Sequence, residues 1–208
     1  MAKLVALPRG ARYEAAILTP TQARTFLTYL IGHRHEALFT LALTMGLRRG
    51  EILALRWCDI DLEKSQVLQV RHSLERVKGE GLRLSEPKSK KAIRELRIPQ
   101  ICLASLIAHK SAQEKKRSWV GSKWQDGGFV FATGVGTPIH PDDLSRELPI
   151  ALGLAKLPKV RFHDLRHSCA SLLLFAWGSP KNSYKRPWVT RAISSRWTPI
   201  SHDPRIAK

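Results

Sequence analysis

Acidic side chains are scarce in this chain. Its 208 residues hold 17 Asp and Glu against 35 Lys and Arg, a formal charge of +18. Such an excess draws a molecule to a polyanion, with nucleic acid the first candidate. An anionic membrane surface is the rival, but no basic amphipathic segment stands out as an anchor. Long apolar runs are also missing. The most apolar stretch, Ala37 to Leu47, is interrupted by Thr40 and Thr44 and is too short to span a bilayer. Met1 to Arg12 is basic but has neither the apolar core nor the cleavage site of a signal peptide. Cysteine is rare: Cys58, Cys102 and Cys169 are widely spaced and form no C-x-x-C pair. An odd, patternless set suits a reducing cytosol and excludes a disulfide framework. Tyrosine occurs only at Tyr13, Tyr29 and Tyr184.

What is present is enough chain for one real core with a small appendage. Residues 1–17 have little periodicity and read as a linker or arm. Thr19-Pro20-Thr21-Gln22 is a helix start: Thr19 caps, Pro20 takes the first helical position and Gln22 completes a capping box. Apolar spacing carries that helix through Leu30, and Gly32 can stop it. A second apolar helix spans about His35 to Met45 and ends at Gly46. A third starts near Arg49 and runs to Leu55. Val67 to Val77 alternates like a strand, and Leu82 to Pro99 adds the rest of a small antiparallel hairpin or three-stranded sheet. Ile101 to Lys116 is a helix and Trp119 to Gly128 a loop. Phe129 to Phe131 is a short apolar strand or extended segment. His140 to Asp143 open a further helix, disturbed by Pro149. Phe162 to Trp177 is a strongly apolar helix that Gly178 is placed to cap. The expected fold class is therefore mainly α with a small antiparallel β-sheet (α+β).

Residues 179–208 differ from the rest. They hold seven Lys or Arg against one acid, Asp203, with Pro180, Pro187, Pro199 and Pro204 and no helical apolar stripe. Such a tail is expected to pack poorly.

Two motifs carry the candidate chemistry. One is Gly46-Leu47-Arg48-Arg49-Gly50-Glu51; the other is His163-Asp164-Leu165-Arg166-His167. A phosphodiester carries its charge on two nonbridging oxygens, and attack on phosphorus adds to it. Guanidinium forks match that geometry and stay charged. Arg48 and Arg166 together can clamp one phosphate and stabilise a pentavalent transition state without metal. His163, three residues before Arg166, shares its helix face and is suited to proton transfer. Two plainer readings stand beside this one. Arg48 and Arg49 also fit a solvated helix start. His163 and His167 also have the spacing of a metal pair, although a zinc helix wants a glutamate after the first histidine and a third ligand.

Taken together, the two arginine motifs resemble those of the tyrosine recombinases of the phage integrase family. The resemblance covers roughly Leu18 to Leu174. It implies the helical catalytic domain of that family with its small sheet, the fold of DNA-breaking and rejoining enzymes. Arg48 and Arg166 become the catalytic arginines, with His163 in the second box and Glu51 a partner that orients the basic groups. Glu86-Pro87-Lys88-Ser89-Lys90, followed by Arg94 to Pro99, is similar to the family's β-hairpin lysine segment. That implies Lys88 as the general acid that protonates the leaving 5′-oxygen, with Lys90 or Lys91 the alternative in another register. The implied activity is site-specific strand exchange on double-stranded DNA through a phosphotyrosyl bond, with no ATP, metal or other cofactor. The implied setting is the bacterial cytosol, in an oligomer on DNA with intact recombinase protomers.

The pattern breaks beyond Arg166. The family continues through a Leu-Gly-His box to its tyrosine some thirty-odd residues later, and this chain shows neither. Tyr184, 18 residues past Arg166, comes too early to be that nucleophile. Met1 begins where a core-binding domain is expected to be ending. The expected organisation is an arm over 1–17, an incomplete catalytic domain over 18–178 and an aberrant tail over 179–208. Three functions follow: a recombinase catalytic domain defective in strand cleavage, a non-catalytic DNA-binding protein derived from an integrase, or a metal-dependent nuclease using His163 and His167.

The tail from about Phe175 is expected to be a frameshift product. Pro187-Trp188-Val189-Thr190 is encoded CCN-TGG-GTN-ACN. Read from the last proline base, with C at the open positions, it gives CTG-GGT-CAC, or Leu-Gly-His. Arg196 to Ile200, shifted the same way, can read CTG-GAC-ACC-TAT, or Leu-Asp-Thr-Tyr. The hidden tyrosine falls ten codons after the hidden histidine, in one frame. The competing reading is a genuine divergent tail. Sequencing the gene decides between them. Third bases that spell Leu-Gly-His and Tyr in the shifted frame are expected; incompatible bases refute the frameshift.

Overall fold

The computed structural model describes residues 16–86 and 93–177. Among the described residues six helices carry the fold: α1 Pro20–Tyr29, α2 Glu36–Met45, α3 Arg49–Leu53, α4 Gln100–Val120, α5 Pro141–Leu154 and α6 Phe162–Trp177. Five short strands among them form two sheets. Strands β1 (Ile60–Asp61), β2 (Val67–Val70) and β5 (Arg94–Arg97) pair antiparallel in the order β1-β2-β5; β3 (Ser73–Val77) and β4 (Gly81–Ser85) form a separate hairpin. This mainly helical chain with small antiparallel sheets is the expected class.

Helix α2 is the centre. Ala37 through Thr44 are all buried, as a helix apolar on every side requires. Helices α1, α3, α4 and α6 pack around it. Phe39 stacks at a tilt against Phe26 at 5.9 Å and Phe162 at 6.4 Å, joining α1, α2 and α6. Rings buried in this way contribute roughly 2–3 kcal/mol each. The polar groups around α2 are satisfied. Thr44 Oγ1 donates to the Thr40 carbonyl at 2.6 Å and meets Cys102 Sγ at 2.9 Å, while the Cys169 thiol donates to the Thr44 carbonyl at 3.3 Å. Burial pushes both Cys102 and Cys169 thiols up to about 12, so they remain neutral packing groups. At the front, the Leu18 N–H donates to Ser168 Oγ at 3.0 Å, tying the entry to α1 onto α6.

Local signals set several boundaries. The Thr19–Gln22 capping box is formed, with Pro20 in the first turn. Gly46 ends α2 in the left-handed region at φ 61°. Other expectations need correction. Val67 to Val77 is not one strand: it breaks at Arg71-His72, and its halves join different sheets. Trp119 is not in a loop, because α4 continues to Val120 and a 3-10 turn follows over Gly121–Lys123. Phe129 to Phe131 forms no strand, and its region contributes isolated bridges, Arg56 to Phe129 and Ala132 to Pro138. Pro149 does not stop α5, whose buried face of Leu144, Leu148, Ala151 and Leu152 anchors both sides of it. The expected arm over 1–17, apart from Ala16 and Ile17, and the tail over 179–208 lie outside the described residues, as does Gly178.

A cluster of histidines sits where the α1–α2 connection meets α4. The His33 and His35 rings lie 5.9 Å apart, and His109 Nε2 donates to the Val130 carbonyl at 2.8 Å. Burial, with Arg34, His33 and His109 nearby, pulls His35 down to about 4. Unfolding restores the ordinary value of about 6.5, so the unfolded chain binds the extra proton between these limits. Stability contributed by neutral His35 is thus present above pH 6.5 and lost as pH falls toward 4. Denaturant titrations should show a decline on the order of 3 kcal/mol across that window. His35→Gln should remove much of the slope; an unchanged slope contradicts the assignment.

Candidate active site: an arginine cleft

The sharp turn between α2 and α3 builds one wall of the site. Gly46 turns the chain, and Arg48 stands in extended conformation immediately before α3. Glu51, in the first turn of α3, reaches back: Oε2 accepts the Arg48 backbone N–H at 2.8 Å, and Oε1 accepts Arg48 Nη1 at 2.9 Å. This is half of a capping box. An arginine side chain has no acceptor to return, so the guanidinium is left facing outward.

Helix α6 builds the facing wall. Arg166 Nη1 donates to the Gly46 carbonyl at 2.6 Å, which fastens α6 to the same turn. A side chain at Gly46 would crowd α6, since an added Cβ lies a tight 3.2 Å from Cys169 Sγ. Partial burial, then the positive charge of Arg48, lowers the Arg166 pKa from its ordinary value. Two like charges held this close favour an anion between them.

Behind Arg48 lies Glu51, only 8% exposed. Burial raises its carboxyl, but hydrogen bonds from Arg94 and from Arg48 outweigh burial and hold it below the ordinary value. Arg94, on β5, makes a two-point pair with it, Nη1 to Oε1 at 3.1 Å and Nη2 to Oε2 at 2.6 Å.

The walls enclose a cleft of about 570 Å³. Arg48, Arg49, Lys159, Arg161, His163 and Arg166 line it, and no carboxylate does among the described residues. Arg49 is partly engaged with α5, donating to the Pro141 carbonyl at 3.2 Å. Arg161 pairs with the buried Asp164 at 3.1 Å. His163 and His167 are exposed neighbours with rings 5.0 Å apart. Among the described residues no three His, Cys, Asp or Glu side chains gather as a metal site.

The structure therefore brings Arg48, His163 and Arg166 to one cleft, with Glu51 directly behind. Lys88 lies outside the described residues, as do Lys90, Lys91 and Tyr184. Arg94 escaped notice as a member of the site. Its only signal was position, the first arginine after the lysine-rich segment. Lys159 and Arg161 gave a similar weak signal as basic residues just ahead of the second box.

The phage integrase family model matches residues 16–180. A XerC-like tyrosine recombinase of Caldanaerobacter subterraneus is 36% identical over 162 residues, which is 73% of this chain and 41% of that protein. The ICEBs1 integrase of Bacillus subtilis is 32% identical over 139 residues, 67% of this chain and 37% of that one. Among solved structures, the Tn1549 transposon integrase in complex with transposon right end DNA superposes with a TM-score of 0.70 at 21% identity, covering 88% of this chain and 60% of that one. The XerA recombinase does so at 0.63 and 20%, covering 83% and 55%. The fold is that of a tyrosine recombinase catalytic domain, and the chain belongs to the phage integrase family. It spans about two fifths of the length of the curated relatives it matches.

A substitution at the turn tests the architecture. Gly46→Ala places a β-carbon in the left-handed region and against Cys169. It should cost about 1–2 kcal/mol in thermal or chemical denaturation. A neutral effect contradicts the close packing of α6 on the turn.

Proposed function

We propose that this chain carries the phosphate-binding half of a DNA strand-exchange site and works on double-stranded DNA, as its family does. The observation that supports the reading best is the cleft, where Arg48 and Arg166 arrive from distant parts of the chain and, among the described residues, no carboxylate shares the lining with them. A scissile phosphate between the two guanidiniums is held by charge-assisted hydrogen bonds, and the extra charge that develops on its oxygens during attack is stabilised there. His163 at the rim is placed to move a proton. Lys88 protonates the leaving 5′-oxygen in this reading. The Tn1549 integrase and the XerH recombinase are structures solved on DNA.

In the family reaction a tyrosine hydroxyl attacks phosphorus, the bond to the 5′-oxygen breaks, and the phosphorus stays linked to the tyrosine through its 3′ strand. No tyrosine of this sequence stands at the family spacing beyond Arg166. We infer that the chain binds and positions DNA without forming that link, either alone or alongside intact recombinase protomers. The cytosol is its proposed compartment; among the described residues no helix is long and apolar enough to cross a membrane.

A duplex with a nick beside the scissile phosphate separates the outcomes. Binding that weakens steeply with salt, without a covalent adduct, is expected. Arg166→Gln should weaken it about tenfold or more, the scale of a hydrogen bond to a charged group. A covalent adduct overturns the inactivity. Cleavage abolished by chelator supports a metal nuclease instead. Salt-insensitive binding, or none, removes the DNA reading.

A further inference from the structure

Glu51 is shared. Its two oxygens accept four hydrogen bonds, two from Arg48 and two from Arg94, which fills the lone-pair capacity of a carboxylate. Of the three arginines around Glu51, Arg48 and Arg166 line the cleft and Arg94 does not. Arg94 therefore does not meet a phosphate bound there, and whatever it contributes passes through Glu51.

Geometry says what that is. Of the Arg48 guanidinium, only Nη1 is committed to Glu51 among the described residues. Nε and Nη2 remain for a ligand. A buried carboxylate without a second cation would place its whole charge on Arg48, and an incoming phosphate would have to compete with it. Arg94 meets that charge from behind with a planar two-point pair. Lysine, a single point charge, cannot reproduce such a pair. Arg94 is also the first residue of β5, which is hydrogen-bonded along its length to β2 from Val67↔Arg97 to Val70↔Arg94. The carboxylate thus joins the strand that leaves the lysine-rich segment to the arginine turn.

We propose that Arg94 is a positioning residue of the arginine cleft: by holding Glu51 in a two-point pair it leaves Arg48 free for a phosphate oxygen. The proposal rests on the reading of Arg48 and Arg166 as a phosphate clamp. The charged groups that face Glu51 are Arg48 from the start of α3, Arg94 from β5 and, less directly, Arg166 from α6. Without Arg94, burial is opposed only by the hydrogen bonds from Arg48, so the Glu51 carboxyl rises from where Arg94 holds it and takes a proton more readily.

The experiment uses the full chain and a labelled duplex, with binding followed by anisotropy from pH 5 to pH 8 at fixed ionic strength. Arg97→Met is the control, since Arg97 is exposed on the same strand and its loss removes the same charge. Relative to that control at each pH, Arg94→Met should bind about tenfold more weakly at pH 7.5. It should recover as the pH falls and Glu51 takes a proton. Adding Glu51→Gln to Arg94→Met should restore binding to within about threefold of the control. Arg94→Lys should lie between, and it carries the test if the methionine variant does not fold. Equality of Arg94→Met with Arg97→Met at every pH overturns the proposal. So does a loss that neither acid nor Glu51→Gln rescues, because that marks a purely structural role. If Arg166→Gln itself leaves binding unchanged, the clamp reading fails instead.

Discussion

Like-charge repulsion between Arg48 and Arg166 is the constraint around which this molecule is arranged. Burial and the charge of Arg48 lower the hold of Arg166 on its proton, and bringing two cations together costs energy, so the pair exists only because the fold compels it. Two acceptors make the arrangement tolerable. Glu51 takes one guanidinium from behind, and the Gly46 carbonyl takes the other from below. Neither acceptor occupies the cleft itself, where the unspent charge faces solvent. A site of this kind is prepared for an anion before any anion arrives.

The rest of the fold keeps those groups in place. Buried α2 delivers Gly46 to a fixed point, and the packing of Phe39 against Phe26 and Phe162 fixes α6 relative to it. Cys169, one turn beyond Arg166, fills the space over Gly46. Packing and chemistry are therefore not separable at this turn: the glycine that ends a core helix also supplies the oxygen that orients an arginine. On the other side, β5 brings Arg94 to Glu51, so the small sheet contributes to the cleft without lining it.

Much of this was legible in the residues, for identifiable reasons. The Thr19 capping box, the glycine stop at Gly46 and the apolar periodicity of α1, α2 and α6 are local signals, and they placed those helices well. The two arginine boxes were legible through their joint resemblance to a family's motifs, since Arg48 and Arg49 by themselves also fit a solvated helix start. What escaped depends on partners far along the chain. Nothing in Val67 to Val77 announces that its first half pairs with β5 while its second half pairs with β4. The extension of α4 through Trp119 is similar, because that solvent-facing turn has no apolar stripe and Trp119 is 87% exposed. Arg94 could not be assigned from its neighbours either. Its role is defined by a carboxylate 43 positions away that accepts its two-point pair.

The most direct measurement is a crystal structure of the chain grown with tungstate, whose anomalous signal locates a phosphate-like anion without ambiguity. One tungstate held between the Arg48 and Arg166 guanidiniums, with Glu51 still paired to Arg94, is the expected result. An anion bound elsewhere while this cleft stays empty, or Arg48 and Arg166 found on separate surfaces, would contradict the account.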